Sequence, residues 1–322
     1  MATDKLPAEL PVLQLGLLGF NAAQQAMLET ALVVLRTRLR WSIAPLDQAD
    51  AFCVNGSRVT PLADGSLQIA ATKPGAPPLR LEPSHSQRPI SFTLPLAPGV
   101  QAENTFDMAS PASTRAMLEK FEGWLRPVSV QFCLASRIVE SKMDLSGTVY
   151  HVTVDGRLVA VVSRRSGVGV LPIADPFHLD NALWAKRPGP ADEIPGHFVH
   201  VGLSQILWQY AMRTRRDLLP AYFRSGPLYW CRSPQLPQRL FDDSTLAIVR
   251  ELARAPQSLA VLGQRTGLPE AVLARDLAGL RIVGAVTHDR KQAQRIRTQP
   301  AVRAAGATDD MTAPAPLVPQ DF

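Results

Sequence analysis

The chain has 322 residues, of which 46% are hydrophobic, and a formal net charge of +6. Its length predicts two or three domains with buried cores. No segment reaches the roughly 18 apolar residues of a membrane helix. Acids and prolines precede the first apolar run at the N-terminus, which argues against an export signal. We therefore expect a cytoplasmic protein without a membrane anchor.

The three cysteines, Cys53, Cys133 and Cys231, lie far apart and have apolar or aromatic neighbours. Their spacing predicts neither a metal site nor a disulfide framework. The cationic excess is almost entirely arginine, because the chain has few lysines. Positive charge favours an anionic partner, although an arginine-rich composition is equally typical of a GC-rich genome.

The first part of the chain has the pattern of an open, partly parallel α/β sheet. An apolar run at 13–20 predicts a strand, and Asn21 with Gln24 predicts a capping box at the start of a helix. Two further short strands are predicted at 41–44 and 51–55. Short strand-like pieces follow up to about residue 87, and a helix is predicted at 113–125 with Met117, Phe121 and Leu125 on one face.

These segments, together with QADAFCVNG and RPISFTLPL, resemble a response-regulator receiver domain, with 88–96 as its last strand. A receiver holds Mg²⁺ with carboxylates after its first strand and accepts phosphate on an aspartate that ends its third strand. Here Asn21 and Asn55 stand near those two places, so the phospho-acceptor is lost at Asn55. The resemblance implies a pseudo-receiver over residues 1–126. The alternative is a generic α/β domain in which Asn55 starts a turn.

Residues 127–238 are predicted to form an α+β middle domain that opens with β-rich sequence. Asp155-Gly156 between two β-branched runs predicts a hairpin with a two-residue turn. A helix is predicted from about Leu203 to Arg216, with RTRR at its C-terminal end. A proline-rich connection then leads to the last domain.

Three helices with clear start and stop signals are predicted in residues 239–289. Asp243 or Ser244 is expected to cap the first helix, Ser258 caps the second and Gly267 ends it, and Pro269 opens the third. With the strand RIVGAV after them, these helices resemble the winged-helix module of bacterial regulators. Residues 290–322 lack apolar periodicity and are predicted to be a disordered tail.

The third helix is the one that reads bases in such modules. Its predicted outward positions supply few hydrogen-bond donors: Glu270, Ala271, Ala274, Arg275 and Ala278. Four arginines are the candidate nucleic-acid contacts, through phosphates: Arg265, Arg275, Arg281 and Arg290. Because the third helix has few side chains that could recognise bases, the pattern favours a protein partner for the module, with DNA as the alternative.

A second anion site is considered at Arg164 and Arg165, which lie beside a glycine-bearing turn, although an exposed loop is the simpler interpretation. His197 and His200 have a spacing that suits a metal on a helix, but no third ligand accompanies them. The sequence contains no P-loop, nucleophile elbow or dinucleotide fingerprint. We predict no catalytic residue, no metal and no cofactor.

Taken together, these patterns predict an α/β plus α+β multidomain chain with a receiver-like open sheet, a β-rich middle and a C-terminal winged helix. The leading hypothesis is a non-enzymatic bacterial signalling or regulatory protein that binds a protein partner through its winged-helix or receiver-like domain. A DNA-binding transcription regulator is the alternative hypothesis. A sensor of cyclic dinucleotides that uses Arg164 and Arg165 is the third. The oligomeric state stays open.

Overall fold

The computed structural model describes residues 7–72, 75–83, 86–141, 143, 145, 149–165, 167–187 and 194–298. The chain is a mixed α/β protein that divides into two compact units. Within the described residues, the N-terminal unit holds 11–126, and the C-terminal unit holds 7–10 and 127–298. The predicted middle and C-terminal domains therefore lie in one unit. No helix of the described segments is long and apolar enough to cross a bilayer.

The described part of the N-terminal unit contains, in chain order, β1 (Val12–Leu18), α1 (Ala22–Val34), β2 (Arg40–Ile43), β3 (Ala51–Val54), β4 (Val59–Pro61), β5 (Leu67–Ile69), β6 (Leu79–Leu81), β7 (Ile90–Thr93), β8 (Thr105–Phe106) and α2 (Pro111–Trp124). A short 3-10 helix, Gly56–Arg58, connects β3 to β4.

The main sheet of this unit is parallel, with the order β2-β1-β3-β7-β8. With the small β4-β5-β6 sheet set aside, this is the order 2-1-3-4-5 of flavodoxin-like doubly wound sheets. The segment 88–96 was expected to supply the last strand. It instead supplies β7, the fourth strand, because the two-residue strand β8 adds beyond it.

The two faces of the parallel sheet are covered by different elements. On one face, the Sδ atom of Met117 in α2 lies 4.0 Å from Cys53 Sγ, and the ring centroids of Trp41 and Phe121 lie 6.1 Å apart. On the other face, Val54 and its neighbours form a cluster with residues of the antiparallel β4-β5-β6 sheet. Met117, Phe121 and Leu125 are all buried, so the predicted apolar face of this helix is confirmed.

The described part of the C-terminal unit contains, in chain order, α3 (Arg126–Glu140), β9 (Val149–Val154), β10 (Arg157–Ser163), β11 (Gly167–Val170), β12 (Leu183–Arg187), β13 (Val199–Val201), α4 (Leu203–Arg213), α5 (Ala221–Ser225), β14 (Tyr229–Trp230), α6 (Asp243–Arg254), α7 (Leu259–Thr266), α8 (Glu270–Ile282), β15 (Val286–Thr287) and α9 (Arg290–Thr298).

An antiparallel sheet, β12-β9-β10-β11-β13, forms the centre of this unit, and α3 and α4 share its core. Asp155 and Gly156 have φ angles of 49° and 78°, which confirms the predicted two-residue turn between β9 and β10. The β-rich opening predicted for this region is wrong, because α3 precedes the sheet. Most of α3 is buried, although its sequence has the amphipathic pattern of a surface helix.

Residues 7–10 belong to the C-terminal unit because hydrogen bonds hold them there. The backbone N–H of Glu9 donates to Ser136 Oγ at 3.0 Å, and its carboxylate accepts from Tyr210 Oη at 3.2 Å. The same hydroxyl lies 2.6 Å from Glu140 Oε1, so its single proton is shared between the two carboxylates, with Glu140 the nearer. Burial, with Glu140 as acceptor, raises the pKa of Tyr210, which therefore stays protonated as the donor in this network.

The three C-terminal helices form where their local signals place them, with small differences. Asp242 caps α6, rather than Asp243 or Ser244. Ser258 caps α7, and Gly267 ends it in a left-handed conformation with φ of 70°, as predicted. On α6, Ile248 and Leu252 are buried, whereas Leu246 is exposed.

The strand that follows α8 is β15, and it pairs with β14, which precedes α6 in the chain. After β15 the chain enters α9 rather than a second strand of a wing. The tail predicted from residue 290 is corrected accordingly, because residues 290–298 are helical. The rest of the predicted tail lies outside the described residues.

Candidate functional site

The carboxyl ends of the parallel strands are the first place to look for a site, because ligands of doubly wound sheets bind there, where the strand order reverses. In this sheet the reversal lies between β1 and β3. Gly19, Phe20 and Asn21 follow β1, and Asn55 and Gly56 follow β3. None of these five residues is acidic.

The side chain of Asn55 closes the space between these two strand ends. Its Nδ2 group donates to Gly19 O and to Gln24 Oε1, both at 3.2 Å. Its Oδ1 atom accepts from Ser57 Oγ at 2.8 Å and from the Ser57 backbone N–H at 3.3 Å. Asn55 is buried, so the amide uses both its donors and its acceptor inside the protein.

The start of α1 beside Asn55 is also occupied. Asn21 Oδ1 accepts from the backbone N–H of Gln24 at 2.9 Å, and Gln24 Oε1 accepts from the N–H of Asn21 at 3.0 Å. This is the predicted capping box, and it uses backbone N–H groups that bind anions in other helices. Gly56 N donates to Thr93 Oγ1 at 3.1 Å, and a Cβ atom at Gly56 would lie 2.1 Å from Thr93 O. Only glycine fits there.

A cleft of about 350 Å³ lies near this edge, lined by Leu17, Gln25, Ile43, Ala44, Pro45 and Leu46. Gln25 supplies the only polar side chain of the lining, and its Nε2 group donates to Phe20 O at 3.1 Å. The cleft therefore offers no acid, base or nucleophile. In the segments that the structure describes, no three His, Cys, Asp or Glu side chains form a group that could hold a metal.

The predicted recognition helix, α8, packs inside its own unit. Residues 276–280 are buried in succession, and Ala278, expected to face outward, is among them. A Cβ atom on Gly279 would lie 2.9 Å from the Trp208 ring and 2.6 Å from Met212 Cε, both on α4. Glu270 and Ala271 in the first turn are exposed. The helix therefore presents its first turn, and little else, to solvent.

Arg275 of α8 binds carboxylates of its own unit. Its Nη2 atom lies 2.8 Å from Asp276 Oδ1 and 3.3 Å from Asp242 Oδ2. Ser244 Oγ lies 2.5 Å from Asp276 Oδ2 and 2.8 Å from Asp242 Oδ1, so its single proton is shared between the two carboxylates. Together these contacts connect the start of α6 to the middle of α8.

The two aspartates of this cluster, Asp242 and Asp276, have pKa values shifted in opposite directions, because burial and hydrogen bonding affect them to different extents. Burial raises the pKa of Asp276 above its ordinary value, in spite of the hydrogen bond from Ser244 and the charge of Arg275. Burial acts in the same direction on Asp242, but hydrogen bonds from Thr245 and Ser244 and the charge of Arg275 outweigh it and lower the pKa. The more deeply buried Asp276 therefore depends more on its cation.

The other three predicted nucleic-acid contacts have different surroundings. Arg265 Nε lies 2.6 Å from the buried carboxylate of Glu251. The Arg281 guanidinium lies 6.0 Å from the ring centroid of Phe223, and Arg281 is half-buried. Arg290 is exposed at the start of α9. The structure does not bring the four arginines together as one outward cluster on α8.

An exposed apolar face on α1 was not foreseen as a functional feature. Only Leu28 of this helix is buried, whereas the side chains of Val33 and Val34 are 84% and 70% exposed and Met27 is also exposed. Three exposed arginines follow the helix: Arg36, Arg38 and Arg40. The sequence signal was an alanine- and valine-rich helix with a single charged residue, Glu29.

Arg164 and Arg165 lie exposed in the turn between β10 and β11, where the Arg165 N–H donates to Ser163 Oγ at 3.1 Å. His197 precedes β13 and His200 lies within it, so the two are not on one helical face as metal binding required. The His197 ring meets Phe198 edge-on, with centroids 4.9 Å apart.

Comparison with models of known protein families, with curated proteins and with solved structures finds no match for this chain. The proposals below therefore rest on the residues and geometry described above.

Proposed function

We propose that this chain is a non-enzymatic signalling or regulatory protein that acts by binding a protein partner. In this proposal the N-terminal unit is a pseudo-receiver, and α1 is its docking surface. The observation that carries the proposal is the closed space between β1 and β3, where Asn55 and Gln24 occupy the position that a phosphate and its metal would need.

The closed strand ends support a binding role because the residues that follow β1 and β3 supply no carboxylate for phosphoryl transfer. An amide is neither the nucleophile nor the anionic metal ligand that this chemistry requires. The strand order 2-1-3-4-5 agrees with the receiver resemblance, although three strands replace the helices between β3 and β7. A domain that has this strand order but lacks the groups for phosphoryl transfer can still act by binding other proteins through its surface.

The exposed face of α1 supports a protein as the partner. Contiguous apolar side chains on a surface helix mark interaction sites, whereas single ones are ordinary. Val33, Val34 and Met27 lie on the outward part of the helix, and three arginines follow it. We assign a partner that presents an apolar patch next to acidic side chains, because acidic groups complement Arg36 and Arg40.

The buried α8 weighs against the alternative of a sequence-specific DNA regulator. A reading helix needs exposed donors that reach base edges in the major groove. Here Ala278 is buried, and Arg275 and Arg265 pair with carboxylates of their own unit. Freeing Arg275 for DNA would leave the buried Asp276 without its cation.

The test uses a photo-reactive amino acid at Val33 of the full chain in the producing cell. A matched control carries it at Arg157, which is exposed at the hairpin turn. We expect a discrete adduct from position 33 alone. The adducted protein is then purified and titrated against wild type and against Val33→Asp/Val34→Asp and Arg36→Glu/Arg40→Glu variants. Both variants should weaken binding at least about tenfold, which corresponds to about 1.4 kcal/mol.

Three results would count against the proposal. The first is equal affinity for the wild type and both variants. The second is a homodimer of this chain that the same variants break, because it would replace the acidic partner with a second copy. The third is turnover of any substrate by the purified protein that a single substitution abolishes, because it would show an enzyme.

A further inference from the structure

Two exposed aromatic side chains lie in contact where α5 meets the segment that follows β15. The ring centroids of Tyr222, on α5, and His288 lie 4.3 Å apart, with 47° between the ring planes. Tyr222 is 49% exposed, and His288 is also exposed. Single exposed apolar groups are ordinary on a protein surface, but two rings in contact form a larger aromatic surface. We call Tyr222 and His288 the aromatic platform.

A third, buried ring holds the aromatic platform in place. Phe223 is 1% exposed, and its ring centroid lies 5.4 Å from that of Tyr222 and 5.7 Å from that of His288. Phe223 belongs to the core that also contains Ile248 of α6 and Leu277 of α8. Because the two exposed rings pack against this core residue, a ligand that stacks on them orders few additional bonds.

Three arginines lie close to these rings in space or in sequence. The Arg281 guanidinium is 6.0 Å from the Phe223 ring centroid, and Arg281 Nε is buried without a hydrogen-bond partner in the described part of the chain. Arg232 Nη2 lies 3.6 Å from the position of a Cβ atom on Gly284, three residues after Arg281. Arg290 follows the platform histidine by two residues and is exposed. All three are cations that can meet an anion beside the rings.

The acids of the same region have partners within the protein. Arg224, on α5, contacts Asp217 Oδ2 at 2.6 Å and Glu270 Oε1 at 3.0 Å. Asp289 follows the platform histidine and accepts from the backbone N–H of Lys291 at 2.8 Å, which caps α9. The charge that remains for a ligand beside the aromatic platform is therefore positive.

Aromatic faces next to guanidinium groups have the chemistry of a site for single-stranded nucleic acid, in which bases stack on the rings and cations pair with the phosphates. We propose that the aromatic platform stacks bases of a single-stranded nucleic acid and that Arg232, Arg281 and Arg290 neutralise its phosphates. A duplex is the poorer fit, because it presents base edges and phosphates rather than base faces. An acidic peptide would pair with the arginines but would leave the rings without a stacking partner.

This proposal goes beyond the protein-docking function, because it concerns the C-terminal unit and a different class of partner. It also differs from base reading by α8. Stacking uses the ring faces that every base has, whereas reading uses the donors and acceptors at base edges. Binding should therefore tolerate changes in the sequence of the strand.

The test measures binding of the full-length protein to fluorescein-labelled single strands of DNA and RNA, about 12 nucleotides long, by fluorescence anisotropy. The Tyr222→Ala variant should bind about 5- to 150-fold more weakly, which corresponds to the loss of one stacked base. Tyr222→Phe should retain the affinity, because it keeps the ring. Leu183→Ala removes an exposed apolar side chain elsewhere in the unit and should bind as the wild type does.

The salt dependence of binding tests the arginines. Three phosphate contacts predict a slope of about −2.1 in log K against log salt for a single strand, or about an 18-fold loss of affinity between about 50 and 200 mM salt. The variant Arg232→Gln/Arg290→Gln should reduce the slope to about −0.7. Arg157→Gln/Arg239→Gln removes two exposed cations elsewhere in the unit and should retain the full slope.

Several results would overturn the proposal. One is a duplex that binds as tightly as its own single strand, and another is an equal loss of affinity in Tyr222→Phe and Tyr222→Ala. Displacement of the strands by an equal concentration of a polyglutamate peptide would show a site for acidic peptides instead. Absence of binding to every strand would also contradict it. Circular dichroism confirms that each variant is folded.

Discussion

Helices α8 and α9 are near neighbours in the chain and have opposite relations to their arginines. In α8, Arg275 binds two aspartates, and the helix is buried along most of its length. In α9, which the sequence pattern predicts as a disordered tail, Arg290 and Lys291 are exposed on a helix without acids. An arginine in the sequence therefore indicates an external binding partner only once the structure shows whether carboxylates of the same protein already pair with it.

The N-terminal unit shows the same contrast between a polar site whose hydrogen bonds are all made inside the protein and a surface that is exposed to solvent. The amide of Asn55 uses both donors and its acceptor within the protein, at the place where a receiver would bind its ligand. The apolar residues of α1 have little to cover them. Substitutions at the internally bonded sites, such as Asn55 and Arg275, should lower stability. Substitutions on the exposed face of α1 should weaken binding of a partner.

Among changes to charged and polar residues, the largest effect on stability is expected from Arg275→Ala. It should destabilise the C-terminal unit by about 2–3 kcal/mol, less than a fully buried pair because Arg275 is partly exposed. Urea unfolding followed by circular dichroism measures this cost. Arg250→Ala is the matched control, since Arg250 is exposed and lies 3.8 Å from Glu251; its cost should be within about 0.5 kcal/mol. Equal costs for the two variants would mean that the pairing in α8 is unimportant.

The cost of Arg275→Ala should also depend on pH. The folded pKa of Asp276 is raised, so the penalty for its buried charge is fully present above that pKa and is relieved as the pH falls through it. Once Asp276 is protonated it no longer needs Arg275. The difference between variant and wild type should therefore shrink as the pH falls from 7 toward the raised pKa. A difference that grows over that range would contradict this assignment.

The next largest effect is expected from Asn55→Asp. A carboxylate cannot donate to Gly19 O or Gln24 Oε1, so the buried site loses two hydrogen bonds, at a cost of about 2 kcal/mol. Thermal unfolding measures the loss. Asn21→Asp makes the same chemical change at the exposed cap and should stay within about 0.5 kcal/mol. Incubation of Asn55→Asp with acetyl phosphate should give no phosphorylated protein by mass spectrometry; a stable phosphoprotein would refute the closed site.

A smaller effect of opposite sign is expected from Arg290→Gln/Lys291→Gln. The helix dipole favours negative charge in the first turn of α9, so removing these two exposed cations should leave stability unchanged or raise it by about 0.3–1 kcal/mol. The same unfolding measurement tests this, with Arg157→Gln/Arg239→Gln, which removes two exposed cations outside α9, as control. Marked destabilisation would show that the cations of α9 serve the fold, and the comparison with α8 would fail.

The smallest effect is expected from Val33→Gln/Val34→Gln on α1. These exposed side chains bury little surface, so stability should change by less than about 0.5 kcal/mol. Leu28→Ala on the same helix should cost about 2–5 kcal/mol, because Leu28 is buried. Similar melting temperatures for the two variants would show that the outward face of α1 packs against its own protein after all.

The sequence predicted the features that a few neighbouring residues decide. The capping box of Asn21 and Gln24, the turn at Asp155-Gly156 and the left-handed Gly267 all form as expected. Each of these features depends on a few neighbouring residues: either a side chain bonds to nearby backbone, or the backbone adopts a positive φ angle that favours glycine. That position 55 carries an amide and not a carboxylate could also be read from the sequence, because it depends on residue type alone.

The tertiary structure decided what surrounds these elements. It placed β8 beyond β7, buried α3 and α8 nearly all round, and brought Asp242 to Arg275 from a distant part of the sequence. The α4 side chains that cover Gly279 of α8 come from a distant part of the sequence, so the pattern of α8 alone did not indicate how far this helix is buried. Whether a charged side chain is paired inside or presented to solvent depends on residues distant in sequence, and only packing brings those together.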